Sequence, residues 1–390
     1  MSTAVASALG FARFAYALVL PAMKASLHWN YFEAGSLNIA NALGYMIGAL
    51  AAARLAKIFG TKKLFLTSLF LITIFTLAPA LNSNLILLLI ERGVSGVFGA
   101  TILVTGGALV AHGNSKQPRR IGTTTLGIYF GGAGLGIVIS GSALPSFITY
   151  VGNQRWPLVW VLLAAFCLLA LIANCFVTQN LSDPTQPKDT TETVPMRNFR
   201  PSFIAYGTFG AGYISFMTFV IAFLKQQGSS ESFITLFYIT LGLSALVSAF
   251  FWDRPLEALS KGYGLGATLT SVAIGSALPF LGTNHLFDLL SAFFFGFALM
   301  ATSTAITRIA QRNAPPSNLT AILGWATFYM GVGQSLGPLI TGALSDTPSG
   351  LKLGMQVASM ACALAIAIAL LQKDAPSSPI STLSHGSIGT

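Results

Sequence analysis

Twelve runs of apolar residues, each about as long as a membrane-spanning helix, fill most of this chain. A helix needs roughly 20 predominantly apolar residues to cross the hydrocarbon core of a bilayer. Backbone groups in lipid must pair within the segment, so each run is predicted to be a helix. The runs fall at residues 3–23, 35–53, 64–81, 85–111, 123–147, 156–178, 201–224, 233–252, 264–282, 284–309, 319–345 and 350–371. The sequence therefore predicts an all-α membrane protein with twelve transmembrane helices.

The charge content agrees with a membrane protein. Only 8% of the residues are charged, whereas soluble domains carry about a quarter. The net charge of +10 does not predict nucleic-acid binding, because the basic residues lie in short loops between the apolar runs. The three cysteines lie inside apolar runs without metal-ligand spacing, so no disulfide, metal or cofactor is expected.

The basic residues also predict the orientation of the chain. Of the 21 Lys and Arg residues, fifteen lie in the loops and the tail on one side and four lie on the other. Short loops rich in Lys and Arg stay in the cytoplasm. Both termini are therefore predicted to be cytoplasmic.

The chain divides into two halves of six helices. The longest connection, 179–200, is rich in Pro, Thr and charge, and it is predicted to be a cytoplasmic linker between halves 1–178 and 201–372. The tail, 373–390, is rich in Ser and Pro and is expected to be disordered.

Glycine spacing indicates that the two halves are related. Three glycines of helix five recur 201 residues later in helix eleven: Gly132, Gly136 and Gly141, then Gly333, Gly337 and Gly342. Small residues allow close helix packing in membranes. A parallel repeat with an axis along the membrane normal is typical of major facilitator transporters.

The chain resembles the major facilitator superfamily over nearly its whole length, and two motifs carry this resemblance. After helix two, Gly60 followed by Lys62 and Lys63 is similar to the superfamily's loop between helices two and three. Lys57 stands where that loop usually has an acidic residue. In helix four, the segment 92–96 resembles the Arg-x-x-x-Gly motif that is linked to proton coupling in the superfamily.

Three further stretches resemble the YbfB/YjiJ-type facilitators of bacteria. They are 13–23, 34–50 and 331–338. The resemblance implies a multi-pass monomer in the lipid of the bacterial inner membrane. It also implies two pseudo-symmetric six-helix halves and a central cavity lined by helices one, four, seven and ten.

Two arginines inside predicted helices are the main site candidates. A cation near the middle of a bilayer costs roughly 2.5 kcal/mol or more, so it usually faces a polar interior. Arg13 and Tyr16 are three residues apart, which predicts that their side chains lie on the same face of helix one. With Arg92 in helix four, two guanidiniums in the cavity of the resembled fold would bind a carboxylate or phosphate bidentately. Alternatively, each arginine is structural and bonds carbonyls or neighbouring helices.

Other polar and aromatic residues complete the predicted substrate site. Helix two carries a polar stripe at i, i+3 and i+7, and helices seven and eleven supply wall residues. Packing or interfacial anchoring is the alternative for the aromatic residues. The added candidates are Asn38, Asn41, Tyr45, Tyr213, Thr218, Tyr329 and Gln334.

Two carboxylates are candidates for proton coupling. Glu91 lies well inside helix four, and Asp288 lies near the outer start of helix ten. Burial would favour their neutral forms, and hydration at the outer interface is the alternative. Gly60, Lys62 and Lys63 are predicted gating residues of the cytoplasmic side, with topology as their alternative role.

The function that these features predict is secondary active transport by alternating access. The cargo is a small polar or anionic solute, and protons are the expected coupling ion. Efflux of drugs or sugars is an alternative, as are a passive facilitator and, from another class, a sensor that binds solute without moving it. No Walker loop, metal cluster or Ser/His/Asp arrangement predicts an enzyme.

Overall fold

The structure is a computed structural model, and it describes residues 1–113, 119–179, 181–183, 196–282, 284–314, 318–347 and 350–374. Every regular element in these ranges is a helix. Twelve long helices occur: α1 Ser2–Leu27, α2 Tyr31–Phe59, α3 Thr61–Leu77, α4 Leu85–Gly113, α5 Arg119–Val151, α6 Pro157–Thr178, α7 Arg200–Gln226, α8 Glu231–Phe251, α9 Tyr263–Ala277, α10 His285–Asn313, α11 Leu319–Ser345 and α12 Gly350–Leu370. The predicted all-α membrane fold is confirmed.

Ten of the helices in the described residues are long and apolar enough to cross a membrane. The shortest of the twelve, α9, continues as a 3-10 turn to Phe280. The predicted linker falls between α6 and α7, and the domain limits drawn from it stay a prediction. Residues 180 and 184–195 of that linker, and 375–390 of the predicted tail, lie outside the described residues.

Glycines set the distances between helices. Where α2 crosses α4, a Cβ atom on Gly44 would collide with the Gly93 carbonyl. Between the halves, α5 packs on α8 and α11 packs on α2. A Cβ on Gly141 of α5 would lie 2.6 Å from the Cβ of Tyr238 of α8. One on Gly342 of α11 would lie 2.9 Å from the Tyr31 carbonyl of α2. The close helix approach predicted from the glycine spacing is confirmed.

The N-terminus of α2 is capped from both halves of the protein. Glu33 donates its backbone N–H to the Asn30 side chain (2.7 Å), and Asn30 donates its own N–H to the Glu33 carboxylate (2.9 Å). The two preceding N–H groups, of Tyr31 and Phe32, are donated to Asp346 at the end of α11 (2.8 and 3.0 Å). A carboxylate at a helix N-terminus is favourable, so Asp346 ties α2 to α11 at this face.

Replacing Asp346 with asparagine is expected to loosen this face. The variant loses the charge and one of two acceptor oxygens, which costs about 1 kcal/mol. The equilibrium between conformations should shift about fivefold toward opening. Spin-label distances between the ends of α2 and α11 would measure it.

Glu33→Gln is the matched control, because it alters the cap within one half only. An unchanged distance distribution in Asp346→Asn would show that the contact does not hold this face closed.

Candidate substrate cavity

The first helix is not a regular α-helix where it carries Arg13. Residues Ala6–Phe14 form a π-helix, and the N–H of Ala15 is donated to the Gly10 carbonyl (2.8 Å). Such wide turns are rare in proteins, and those that do occur are frequently found at functional sites. The extra residue per turn separates two side chains that a regular helix would place on one face. Arg13 lines a cavity, whereas Tyr16 is fully buried and donates its hydroxyl to the Ala34 carbonyl (2.6 Å).

Arg13 stands where four helices meet. Its Nη2 donates to the Gln334 Oε1 atom of α11 (2.6 Å), and its guanidinium carbon lies 4.8 Å from the centre of the Tyr45 ring of α2. Gln334 in turn donates to the hydroxyl of Tyr213 in α7 (3.0 Å). The predicted residues Arg13, Tyr45, Tyr213 and Gln334 thus form one contact network that spans both halves.

The guanidinium of Arg13 is buried and poorly satisfied. Arginine has five N–H donors, but the described residues supply one hydrogen-bond acceptor, and the buried Nε has no partner. No carboxylate of the described residues lies within ion-pair distance of it. An uncompensated buried charge is costly, so the site is suited to an anion.

The cavity beside this network has a volume of about 610 Å³. It extends from Arg13, in the middle of α1, to an ion pair between Arg308 and Asp253 (2.7 Å) just after α8. The Asp253 side chain is 45% exposed, so the cavity reaches the surface there. Because twelve helices alternate in direction, this is the face at which α1 begins and α12 ends.

Arg92 lies outside the cavity lining. Its side chain is 1% exposed, its Nη1 donates to the Ala12 carbonyl in the π-helix, and its Nη2 donates to Asn38 (3.3 Å). The guanidinium carbon lies 5.2 Å from the Tyr16 ring centre and 5.5 Å from that of Trp160. Arg92 therefore links α4 to α1, α2 and α6.

The other predicted substrate residues also lie outside the lining. Asn38 donates to Thr218 of the opposite half (2.6 Å), and Asn41 donates to the backbone carbonyl of Arg92 (3.1 Å). Tyr329 stacks on Phe203 with ring centres 5.6 Å apart. These contacts are structural, and the substrate roles of Tyr16, Asn38, Asn41, Arg92, Thr218 and Tyr329 stay predictions.

Residues 5–370 match the family model described as "Uncharacterised MFS-type transporter YbfB". The chain belongs to this family of major facilitator transporters. It is a multi-pass membrane transporter, and both the family and the similar solved structures are transporters rather than enzymes.

The efflux pump radE of Floropilus chiversii is a curated relative of this transporter. It is 27% identical over 240 residues, which are 52% of this chain and 44% of that protein. The chain thus spans less than half the length of the curated relative that it matches.

Two solved transporters share the fold. A bacterial homologue of the human lysosomal transporter Spinster, in an inward-facing, unoccupied conformation, has 16% identity, 95% coverage of both chains and a TM-score of 0.66. The nucleoside transporter NupG has 12% identity and a TM-score of 0.69, with 95% of this chain and 98% of that chain covered.

The two carboxylates predicted for proton coupling are not part of the cavity lining. Glu91 accepts a hydrogen bond from the Asn82 side chain (2.7 Å), and its other oxygen is buried without a partner. Asp288 lies 3.7 Å from the His285 ring and likewise has a buried oxygen without a partner. Their coupling role stays a prediction.

The predicted gating loop of the transporter is bound to the first residues of the linker, just after α6. Gly60 has a φ of 82°, and the next residues begin α3. Lys62 donates its backbone N–H to Asp183 (2.7 Å) and its Nζ to the Gln179 carbonyl (2.9 Å). Lys63 is exposed. The gating role of all three predicted residues stays a prediction.

Sequence reasoning missed two lining rings on α7, Tyr206 and Phe209. The signal was present, because Tyr206, Phe209 and Tyr213 are spaced three and four apart and so share a helix face. It also missed Asp183, which accepts the backbone N–H of Lys62. The two residues lie 121 positions apart in the sequence, so no local pattern indicated this contact.

Proposed function

We propose that this protein is a monomeric secondary active transporter that moves a small anionic solute across the bacterial inner membrane, driven by protons. The observation that carries the proposal is Arg13, a buried guanidinium on a cavity wall that has one hydrogen-bond partner and no carboxylate in ion-pair contact among the described residues. A carboxylate or phosphate would use its remaining donors in a bidentate pair.

Alternating access is supported by the contrast between the two faces. The cavity reaches the surface on the face at which α1 begins and α12 ends, which the charge distribution predicts to be cytoplasmic. On the opposite face the halves are joined by Asp346 with the N-terminus of α2. Deeper between the halves lies the bond from Asn38 to Thr218. Rocking of the halves around the cavity would exchange the open face for the closed one.

Proton coupling is supported by Glu91 and Asp288, each of which has a buried oxygen without a partner. Such an oxygen can take up a proton at little cost in broken bonds. Gradient-driven uptake that stops in Glu91→Gln while counterflow persists would identify Glu91 as the coupling group. Equal loss of both activities would remove it from that role.

We expect Arg13→Gln to lose most solute uptake while the protein remains folded. A charge-assisted hydrogen bond contributes about 1.5–3 kcal/mol, so affinity should fall roughly 10- to 100-fold. Counterflow of labelled carboxylates in proteoliposomes, with and without a pH gradient, would measure it.

Arg155→Gln is the matched control, because Arg155 is an exposed cation between α5 and α6 and lies outside the cavity lining. Absence of counterflow in the wild-type protein for every solute would contradict the transporter proposal. Uptake that persists in Arg13→Gln would contradict the anion site.

Efflux of a drug or sugar is the second candidate. It is favoured by the aromatic lining of the cavity and by the relative named an efflux pump. A sensor is the candidate from another class, and it would bind solute saturably without counterflow.

A further inference from the structure

An ordered aromatic wall lies next to Arg13. The rings of Tyr206, Phe209 and Tyr213 line the cavity from one face of α7. Successive ring centres are 6.0 and 5.0 Å apart, and both pairs are within 18° of parallel. We refer to these three residues as the α7 ring row.

The ring row presents a small and mainly apolar area to the cavity, because Tyr206, Phe209 and Tyr213 are 8%, 1% and 5% exposed. The Tyr206 hydroxyl is bonded to Ser303 (2.8 Å), and the Tyr213 hydroxyl accepts from Gln334 (3.0 Å). Because each hydroxyl already has one protein partner, the row offers a ligand few polar contacts and is poorly equipped to bind the many hydroxyls of a sugar. It is suited to a flat apolar group, since aromatic rings favour offset or edge contacts with other rings.

The charge available to a ligand lies at one end of the row. Tyr213 ends it, and Gln334 connects Tyr213 to Arg13. The other cation of the described lining, Arg308, is already paired with Asp253 (2.7 Å). One cation is therefore free to bind an anion, which fits a ligand with a single negative charge.

We propose that the cargo is an aromatic monocarboxylate, with its carboxylate on Arg13 and its ring along the α7 ring row. This inference rests on the anion site of the proposed function and names its substrate class. A cavity of about 610 Å³ is within the range of sites that enclose small organic molecules. A small dicarboxylate or inorganic phosphate would leave the ring row uncovered and a second charge unpaired.

Equilibrium binding of radiolabelled trans-cinnamate to the purified full-length transporter tests the proposal. Unlabelled cinnamate should compete, whereas cinnamamide, pyruvate and succinate should compete at least tenfold more weakly. Cinnamate should also bind about threefold or more tighter than hexanoate, because a ring replaces a flexible apolar chain. This comparison uses the wild-type protein and needs no variant.

Two variants on α7 localise the ring. Phe209→Leu should weaken cinnamate binding about three- to tenfold and leave the binding of pyruvate unchanged. Phe203→Leu is the matched control, because Phe203 is buried on the same helix but lies outside the cavity lining. Thermal unfolding shows whether each variant is folded.

The outcomes separate this inference from the proposed function. If succinate, phosphate or pyruvate binds more tightly than cinnamate and depends on Arg13, the anion site stands and the aromatic class is overturned. Equal affinity for cinnamate and hexanoate, or an unaffected Phe209→Leu, also overturns the aromatic class alone. If neither a carboxylate nor phosphate binds, or if cinnamamide binds as well as cinnamate, both proposals are overturned.

Discussion

Replacing Arg92 with alanine is expected to destabilise the transporter by about 2–4 kcal/mol, with or without a ligand. Three losses add up: the donors to the Ala12 carbonyl and to Asn38 disappear, the contacts with the rings of Tyr16 and Trp160 are lost, and a cavity remains. The desolvation cost of the cation is relieved at the same time. It does not offset the losses, because two buried acceptors each lose a charged donor.

Thermal unfolding of the purified protein measures this effect, and the melting temperature should fall by several degrees. Arg92→Lys retains the charge and should recover part of the stability. Arg13→Gln is the matched comparison, since it should lose solute binding at nearly normal stability. If Arg92→Ala melts like the wild-type protein but binds no carboxylate, Arg92 belongs to the substrate site instead.

Gly44→Leu is the second substitution with a large expected effect. At this crossing of α2 and α4, a Cβ on Gly44 would collide with the Gly93 carbonyl, and one on Gly48 would collide with that of Val97. A leucine must push the two backbones apart, which also breaks the bond from Asn41 to the Arg92 carbonyl. We expect a loss of about 3 kcal/mol or more.

The yield of monodisperse protein and its melting temperature measure the effect. Gly324→Leu on α11 is the matched control, because a Cβ at Gly324 has no atom within 4 Å. The Gly324→Leu variant should fold normally, because the added side chain meets no neighbour and leucine favours the helix more than glycine does. Equal stability of the two variants would show that the crossing of α2 and α4 can widen freely.

The fold was predictable because it depends on properties that are local in sequence. The lengths of the apolar runs predicted twelve helices, and the predicted spacing of glycines such as Gly132 and Gly333 corresponds to close contacts of α5 with α1 and of α11 with α7. Arg13 could be predicted as a candidate site residue because a charge in a membrane helix needs a polar setting, and the structure places it in the lining of the cavity. None of these inferences required knowledge of which side chains meet.

The arrangement of the site was less predictable, because it depends on contacts between distant residues. The π-helix has no sequence signal, so Arg13 and Tyr16 were expected on one face, whereas the structure directs them to different neighbours. Arg92 was expected in the cavity, but a carbonyl of the π-helix gives it a partner elsewhere. The spacing of the α7 rings was visible, but the direction in which they point was not.

The wide turns of α1 have a consequence for how this site can change between related proteins. Removing one residue from Ala6–Phe14 would shorten this wide segment and rotate the preceding part of the helix by about 100° relative to the rest. Either Arg13 would then leave the cavity or the Ala12 carbonyl would leave Arg92. A single insertion or deletion in this segment can therefore create or abolish an anion site, a step that no single substitution reproduces.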